Sequence, residues 1–373
     1  MERTKTLRWH HAAARRLKSA NMRDENNSIP EPAPLVEVRR GSITESRHRG
    51  HIIAVDGDGR IVARLGSPEV VTYLRSSAKP HQAIPLVASG AADRFGFTPE
   101  ELALVCGSHS GEPIHVATVK GMLAKIGLDE SALRCGTHEP FSREVARELR
   151  RRESAPSVLQ NNCSGKHTGM LALAIHLGAP TADYDSPANP VQLLIARVIE
   201  QFSGVPLEDI AVGVDGCGVP VFGTSVRAMA LMYARLISPP EDFDARTRLA
   251  CERIVQAMVA YPEMVGGTCE RLDTEVMRAC AGRLVSKVGA EGVYTAGVLP
   301  CDRWPRGLGI ALKIEDGEDR RARPTVVIET LRQLEVLDRE GEQALAPYAR
   351  FDVRNNRREV VGEVRPSFTL EML

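Results

Sequence analysis

From residue 35 the chain alternates apolar and polar positions, first LVEVRRGSITES and then HIIAVDGDGRIVARLG, the period-two pattern of half-buried strands. The Asp56-Gly57-Asp58-Gly59 cluster between HIIAV and RIVARLG predicts a hairpin turn. After Leu74 the period lengthens. Pro80 suits the first turn of a helix running from about Lys79 to Ser89. Thr98 before Pro99-Glu100-Glu101 reads as an N-cap followed by acids. IHVATVKGMLAKIG, SREVARELRRRE, HTGMLALAIHLG and NPVQLLIARVIEQF all carry helical apolar spacing. DIAVGVDGCG then reads as a short buried strand, and two more helices fall around 224–237 and 244–260. The last third returns to strands with GRLVSKVG, GVYTAGVL and LGIALKIEDG, followed by a helix in RPTVVIETLRQLEVL and a strand in REVVGEVRP.

Strands at both ends of the chain with helices between them predict an α/β protein of the α+β type. One antiparallel sheet, built from both ends, packs on helices beside an inserted helical lobe. The sheet segments fall at about 35–75 and 282–368, and the lobe at about 79–281, within a single catalytic domain over 35–373. The first 34 residues stand apart. MERTKTLRWHHAAARRLKSAN has six Lys or Arg against one acid and lacks an apolar signal core, and NNSIPEPAP reads as a linker. A disordered basic tail is the expectation there.

Composition narrows the partners. Net charge is zero and aromatics make up only 4% of the chain, which argues against nucleic acid or an anionic membrane surface. No apolar run approaches a spanning length. Eight cysteines without a signal peptide point to free thiols in a reducing cytoplasm.

Chemistry clusters in a few stretches. RSSAKP holds Ser76-x-x-Lys79, and positions three apart at a helix start share a face. A lysine of lowered pKa can take the proton of a serine and make it a nucleophile. A capping serine with a solvated lysine is the plainer reading of that spacing. Penicillin-recognising serine enzymes place their Ser-x-x-Lys at a similar junction of hairpin and helical lobe. CGSHSGE offers Ser108, His109 and Ser110 on a loop that ends an apolar helix. NNCSGKHTGM crowds Asn161, Asn162, Cys163, Ser164, Lys166, His167 and Thr168 before another. VDGCGVPVFG puts Asp215 and Cys217 among glycines at a strand end, where a thiolate can bind metal or do redox chemistry. SKVGAEGVY adds Lys287, a second cation able to depress the first lysine.

RSSAKPHQAIPL, CGSHSGEPIHV, CGTHEPFSREVARELRR, NNCSGKHTGML, VDGCGVPVF and KVGAEGVY, in this order, resemble the asparaginase II family, the Ser-Lys, zinc-containing, rhizobial-type L-asparaginases. The likeness covers about 35–368. It implies a serine β-lactamase/glutaminase-like fold, a homodimer, and hydrolysis of L-asparagine to L-aspartate and ammonia. The resemblance puts the two Ser-Lys tandems on Ser76 with Lys79 and on Ser108 with Lys287. It puts zinc on Cys163, Lys166 and Cys217, and substrate contacts on Asp215, Arg75 and His167. Cys269 in GGTCERLDT departs from the small residue expected there.

On this reading Ser76 attacks the side-chain amide carbon and Lys79, held neutral by burial and by Lys287, takes its proton. Zinc has an accessory part. A glutaminase differs by one methylene of substrate, worth only roughly 1–3 kcal/mol in a pocket. A penicillin-recognising hydrolase lacks support from a Lys-Thr-Gly strand motif. A non-enzymatic zinc protein would have two thiols without a Cys-x-x-Cys pair, a poor structural zinc set.

Overall fold

The computed structural model describes residues 31–373, so the basic tail expected over 1–34 lies almost wholly outside the described residues. Residues Pro32–Leu373 form one compact unit. The first strands are β1 (Ala33–Arg40), β2 (Ile43–Asp56), β3 (Ile61–Leu65) and β4 (Val71–Tyr73). Mid-chain come β5 (Ala211–Val214) and β6 (Pro220–Ser225). The rest are β7 (Leu284–Val288), β8 (Val293–Val298), β9 (Leu308–Ile314), β10 (Phe351–Arg354), β11 (Val360–Pro366) and β12 (Glu371–Met372).

The large sheet runs β10-β11-β1-β2-β9-β8-β7, with β3 paired to β2 and β12. Its strand pairings are antiparallel, and β2 is long enough to pair with β1 through its first half and β3 through its second. The expected turn is real: Asp56 Oδ1 accepts from the backbone N–H groups of Asp58 and Arg60. The two ends of the chain meet where β2 pairs with β9 from Gly50↔Ile314 to Asp56↔Leu308. Lys287 lies on β7 at one end of this sheet, whereas the strand that leads into Ser76, β4, belongs to a smaller sheet.

The principal helices are α1 (Lys79–Ala88), α2 (Pro99–Cys106), α3 (Pro113–Lys125), α4 (Arg143–Arg151), α5 (Ser164–Leu177) and α6 (Pro190–Ser203). They continue with α7 (Val226–Ile237), α8 (Ala245–Ala260), α9 (Leu272–Ala279), α10 (Ala322–Gln333) and α11 (Arg339–Ala349). Helix α1 is buried from Lys79 through Val87, so it forms the axis of the lobe rather than a face of it. Helix α7 lies so close on β9 that a Cβ at Gly309 would sit 1.9 Å from the Ala230 carbonyl oxygen. None of these helices is long and apolar enough to cross a membrane.

Two expectations need correction. The strand in DIAVGVDGCG is not buried: β5 is an edge strand, and Val214 is 76% exposed. The buried strand is β6, which joins β4 and β5 in a separate three-stranded sheet. Apolar content alone does not distinguish an edge strand from a central one. The periodicity also gave no sign of α9, α11 or β10. Helix α9 is only 8 residues long, and α11 buries only Gly341 and Leu345.

Candidate active site

The site is assembled from four chain segments that meet at the N-terminus of α1. Residues Arg75–Ala78 form a 3-10 turn leading into α1. Arg75 has φ 51°, the left-handed region that disfavours a side chain. Its guanidinium is tied down, with Nε donating to Asp215 Oδ1 at 2.8 Å. The turn is anchored from below, where Tyr233 Oη donates to the Ser77 carbonyl at 2.7 Å.

Among the described residues, the hydrogen-bond partners of Lys79 Nζ do not include Ser76. The Lys79 backbone N–H bonds the Ser76 carbonyl, and its side chain runs into the interior. There Nζ lies 2.6 Å from the Gly107 carbonyl oxygen, 3.0 Å from the Asn162 carbonyl oxygen and 3.0 Å from Ser108 Oγ. Burial lowers the Lys79 pKa; Cys163 opposes the shift and Lys166 adds to it.

Ser108 is fixed by its own backbone. Its N–H donates to the Val265 carbonyl at 2.7 Å, and its carbonyl accepts from Arg271 Nη2 at 2.8 Å. The same guanidinium donates to Ser110 Oγ at 2.9 Å and lies 5.0 Å from the centre of the Phe141 ring. His109 points away from the chemistry. Its Nδ1 accepts from Gly111 N–H, so the proton sits on Nε2, which donates to Ser164 Oγ at 2.9 Å. Fully buried and committed at both nitrogens, it is a structural residue.

A second group lies where the N-terminus of α5 meets the β5–β6 turn. Lys166 Nζ is 3.0 Å from Cys217 Sγ. A hydrogen bond from Cys217 holds the Cys163 thiol well below its ordinary range, with Lys79 and Lys166 adding to this against burial; the same contact raises Cys217. The contact thus favours ionisation of Cys163 over ionisation of Cys217. Burial works against the charge on Lys166, but Cys217 and Cys163 outweigh it and its pKa rises. Burial likewise works against the charge on Asp215, which Lys166 and Arg75 nevertheless hold below its ordinary value.

His167 is fully buried behind this group. Tyr184 Oη, which accepts from Arg134 N–H, lies 2.7 Å from His167 Nδ1. With the tyrosine proton given to Nδ1, the imidazole proton is on Nε2. That nitrogen completes no other hydrogen bond and lies against the Cys217 sulfur. His167 thus lies behind the thiols, against the Cys217 sulfur. Burial pushes its pKa down to about 4, keeping the ring neutral.

Lys287 is completely buried on β7. Nζ donates to Asp273 Oδ2 at 3.0 Å and to the Val288 carbonyl at 3.0 Å. Burial lowers its pKa to about 8, opposed by Asp273 and helped by Lys79.

The expected tandems are therefore rearranged. Lys79 was expected beside Ser76, and its Nζ hydrogen-bonds Ser108 Oγ and the carbonyls of Gly107 and Asn162. Lys287 was expected beside Ser108, but its resolved partners are Asp273 and a carbonyl. Cys163, Lys166, Cys217 and Asp215 converge as expected, and Arg75 joins them through Asp215. Sequence reasoning missed Asp273, Arg271 and the Asn162 carbonyl. Asp273 and Arg271 lie in the uncalled helix α9 or just before it. The Asn162 contact is made by backbone, which no side-chain motif reports.

Over residues 36–366 the chain matches the model of the L-asparaginase II family. The chain belongs to that family. Members are amidohydrolases, and this chain is an amidohydrolase acting on small-molecule amides. No curated protein sequence matches it. Among solved structures, it is similar to a probable glutaminase from Bacillus subtilis complexed with 6-diazo-5-oxo-L-norleucine. Identity is 12% and the TM-score 0.37, covering 90% of this chain and 98% of that one. It is similar to Mglu at 14% identity and TM-score 0.41, covering 77% of this chain and 60% of that one. A β-lactamase from Burkholderia vietnamiensis gives 14% identity and TM-score 0.32, covering 81% of this chain and 93% of that one. With TM-scores at this level, family membership rests on the sequence match.

Among the described residues no group of three or more His, Cys, Asp or Glu side chains is arranged to hold a metal ion. The set expected in this family member is of another kind, two thiols with an amine in the third place. Buried sulfur and nitrogen donors, with a neutral imidazole behind one sulfur, fit the chemistry of zinc.

Proposed function

We propose that this L-asparaginase II family member hydrolyses L-asparagine to L-aspartate and ammonia through a serine acyl-enzyme, with Lys79 as the base and Ser108 as the hydroxyl it activates. The supporting observation is the set of partners around Lys79 Nζ. Two are carbonyl oxygens, which can only accept. A neutral amine has two N–H groups and one lone pair. With both hydrogens given to Gly107 and Asn162, the lone pair faces Ser108 Oγ at 3.0 Å. Burial favours that neutral form.

Lys79 takes the Ser108 proton as Oγ bonds to the side-chain amide carbon. It returns the proton to the amide nitrogen, the C–N bond breaks, and ammonia leaves. A water molecule then gives Lys79 a proton as it attacks the ester, and that proton passes back to Ser108 Oγ as aspartate departs. Ser76, half-buried on the same turn as Arg75, belongs to the rim of this site. Arg75 and Asp215 form a charged pair suited to the α-carboxylate and α-amino group of the substrate.

Cys163, Lys166 and Cys217 are the residues that would hold zinc, with the Lys166 amine deprotonated. Bound zinc would supply a fixed positive charge for substrate orientation. A serine with an amine base already provides attack and proton transfer, so the metal is accessory. All eight cysteines are free thiols, in keeping with a reducing cytoplasm, and the family resemblance supports a homodimer.

Glutamine is the competing substrate. Ammonia release from L-asparagine and L-glutamine, measured side by side with a penicillin control, tests the reading. Asparagine should be turned over with the higher kcat/KM. Preference for glutamine or penicillin would replace the substrate assignment. Intact-mass detection of an aspartyl adduct that disappears in Ser108→Ala would support the nucleophile.

A further inference from the structure

The strongest feature that the reading above leaves unused is the carboxylate of Asp273. It is 1% exposed and belongs to α9. Three consecutive residues of β7 converge on it. Ser286 Oγ and the Val288 N–H donate to Oδ1 at 2.9 and 2.8 Å, and Lys287 Nζ donates to Oδ2 at 3.0 Å. Ser286 Oγ is also 3.0 Å from Tyr294 Oη, extending the network to β8.

A fully buried ion pair is a poor device for stability, because desolvation offsets its attraction and an apolar pair of similar volume does as well or better. The stoichiometry of donors suggests another use. An ammonium has three N–H groups. Lys287 spends one on Asp273 and one on the Val288 carbonyl, and the third is left over. The group lies beside the serine loop: a Cβ at Gly289, two residues beyond Lys287, would sit 2.8 Å from the Leu74 carbonyl oxygen that precedes the Arg75–Ala78 turn, and Arg271, two residues before Asp273, donates to the Ser108 carbonyl at 2.8 Å.

The geometry points to Asp273 as a positioning residue that acts through Lys287, holding the ammonium in one orientation with a single N–H free for the Ser108 site. This rests on the serine acyl-enzyme reading. On that reading charge develops on the oxygen of the tetrahedral intermediate, and a fixed donor and cation beside it stabilise the transition state more than bound substrate. Asp273 itself touches neither serine nor substrate. Its effect should therefore pass entirely through Lys287.

A double-mutant cycle in kcat tests this, using the full chain with L-asparagine and L-glutamine, and thermal unfolding of each variant as a check on folding. Asp273→Asn should lower kcat about tenfold or more while KM changes less than about threefold. In a Lys287→Met background the same Asp273→Asn change should cost less than about twofold in residual turnover. A merely structural carboxylate would lower kcat by the same factor in both backgrounds, and that result overturns the proposal, as does unchanged kcat in Asp273→Asn. Should Asp273→Asn fail to fold, Ser286→Ala takes its place in the cycle. It removes one of the three donors that orient the carboxylate, and its loss in kcat should likewise vanish in the Lys287→Met background. A wild-type chain that hydrolyses neither amide would overturn the acyl-enzyme reading and this proposal together. An active chain with additive losses would overturn this proposal alone.

Discussion

On the proposed reading Lys79 is the base, and the partners of its Nζ fit that task. A neutral amine that gives its two hydrogens to the Gly107 and Asn162 carbonyls turns its lone pair toward Ser108 Oγ. Ser108→Ala should therefore reduce kcat by roughly a thousandfold or more with folding intact. Ser76→Ala should keep substantially more turnover, as steady-state ammonia release will show. The reverse ranking would restore Ser76 as the nucleophile. Lys287 gives a second test, through stability. Its pKa falls from the ordinary 10.5 to about 8 in the folded chain. Between those values the unfolded chain still holds a proton that the folded chain has released. The contribution of Lys287 to stability thus rises with pH across this window and is flat below it. Urea midpoints from pH 8 to 10.5 should rise more steeply for the wild type than for Lys287→Met. The difference accumulates to at most roughly 3 kcal/mol. Parallel slopes would mean that Lys287 titrates normally.

Helices α2 and α5 set the distance between the serine loop and the thiol group, and Gly165 and Gly169 let them approach. A Cβ at Gly165 would lie 2.7 Å from the Leu104 carbonyl oxygen and 2.8 Å from Leu104 Cγ. Gly165→Ala must push apart the helix ending before Ser108 and the helix bearing Lys166. We expect a loss of about 1–3 kcal/mol in stability, from overpacking, together with at least a tenfold loss in kcat. A control exists at the far end of α2. Thr98 and Glu101 form a capping box, with Glu101 Oε2 accepting from Thr98 N–H at 2.8 Å. Thr98→Ala should cost about 1 kcal/mol of stability and leave kcat within about twofold. Equal kcat losses in the two variants would show that general loosening of α2, rather than helix spacing, governs the site.

The chain as a whole brings together groups that are far apart in sequence. The proposed zinc ligands come from the start of α5 and from the turn between β5 and β6, so a bound ion would tie the helical lobe to the small sheet. Purified protein should carry about one zinc per chain by elemental analysis. A ligand present at about a thousand times its Kd stabilises the native state by about 4 kcal/mol, so chelation should lower Tm by several degrees. KM should rise more than kcat falls. Zinc affinity should weaken as pH drops, because an amine and two thiols must shed protons to bind. A metal-free protein with full activity and unchanged Tm would remove zinc from the account.

Much of this molecule could be read directly from its residues. Alternation located β1, β2 and β3, and helical spacing located α1, α5 and α6, because a side-chain period is a local property of the backbone. The chemical stretches around Ser76, Ser108, Cys163, Cys217 and Lys287 stood out for the same reason, since each is contiguous. What no local pattern contained was the pairing among them. Whether Lys79 meets Ser76 or Ser108 depended on where a buried side chain found carbonyl acceptors at Gly107 and Asn162. That Lys287 is held by Asp273 depended on α9, a short helix packed on β7. Whether β5 was a core or an edge strand depended on its neighbours. Sequence determined the elements and the inventory of reactive groups, because these follow from short-range sterics and side-chain chemistry. Tertiary structure decided which base meets which hydroxyl and which carboxylate holds which ammonium, because buried charges and donors must be satisfied by whatever partners the closed core brings within about 3 Å.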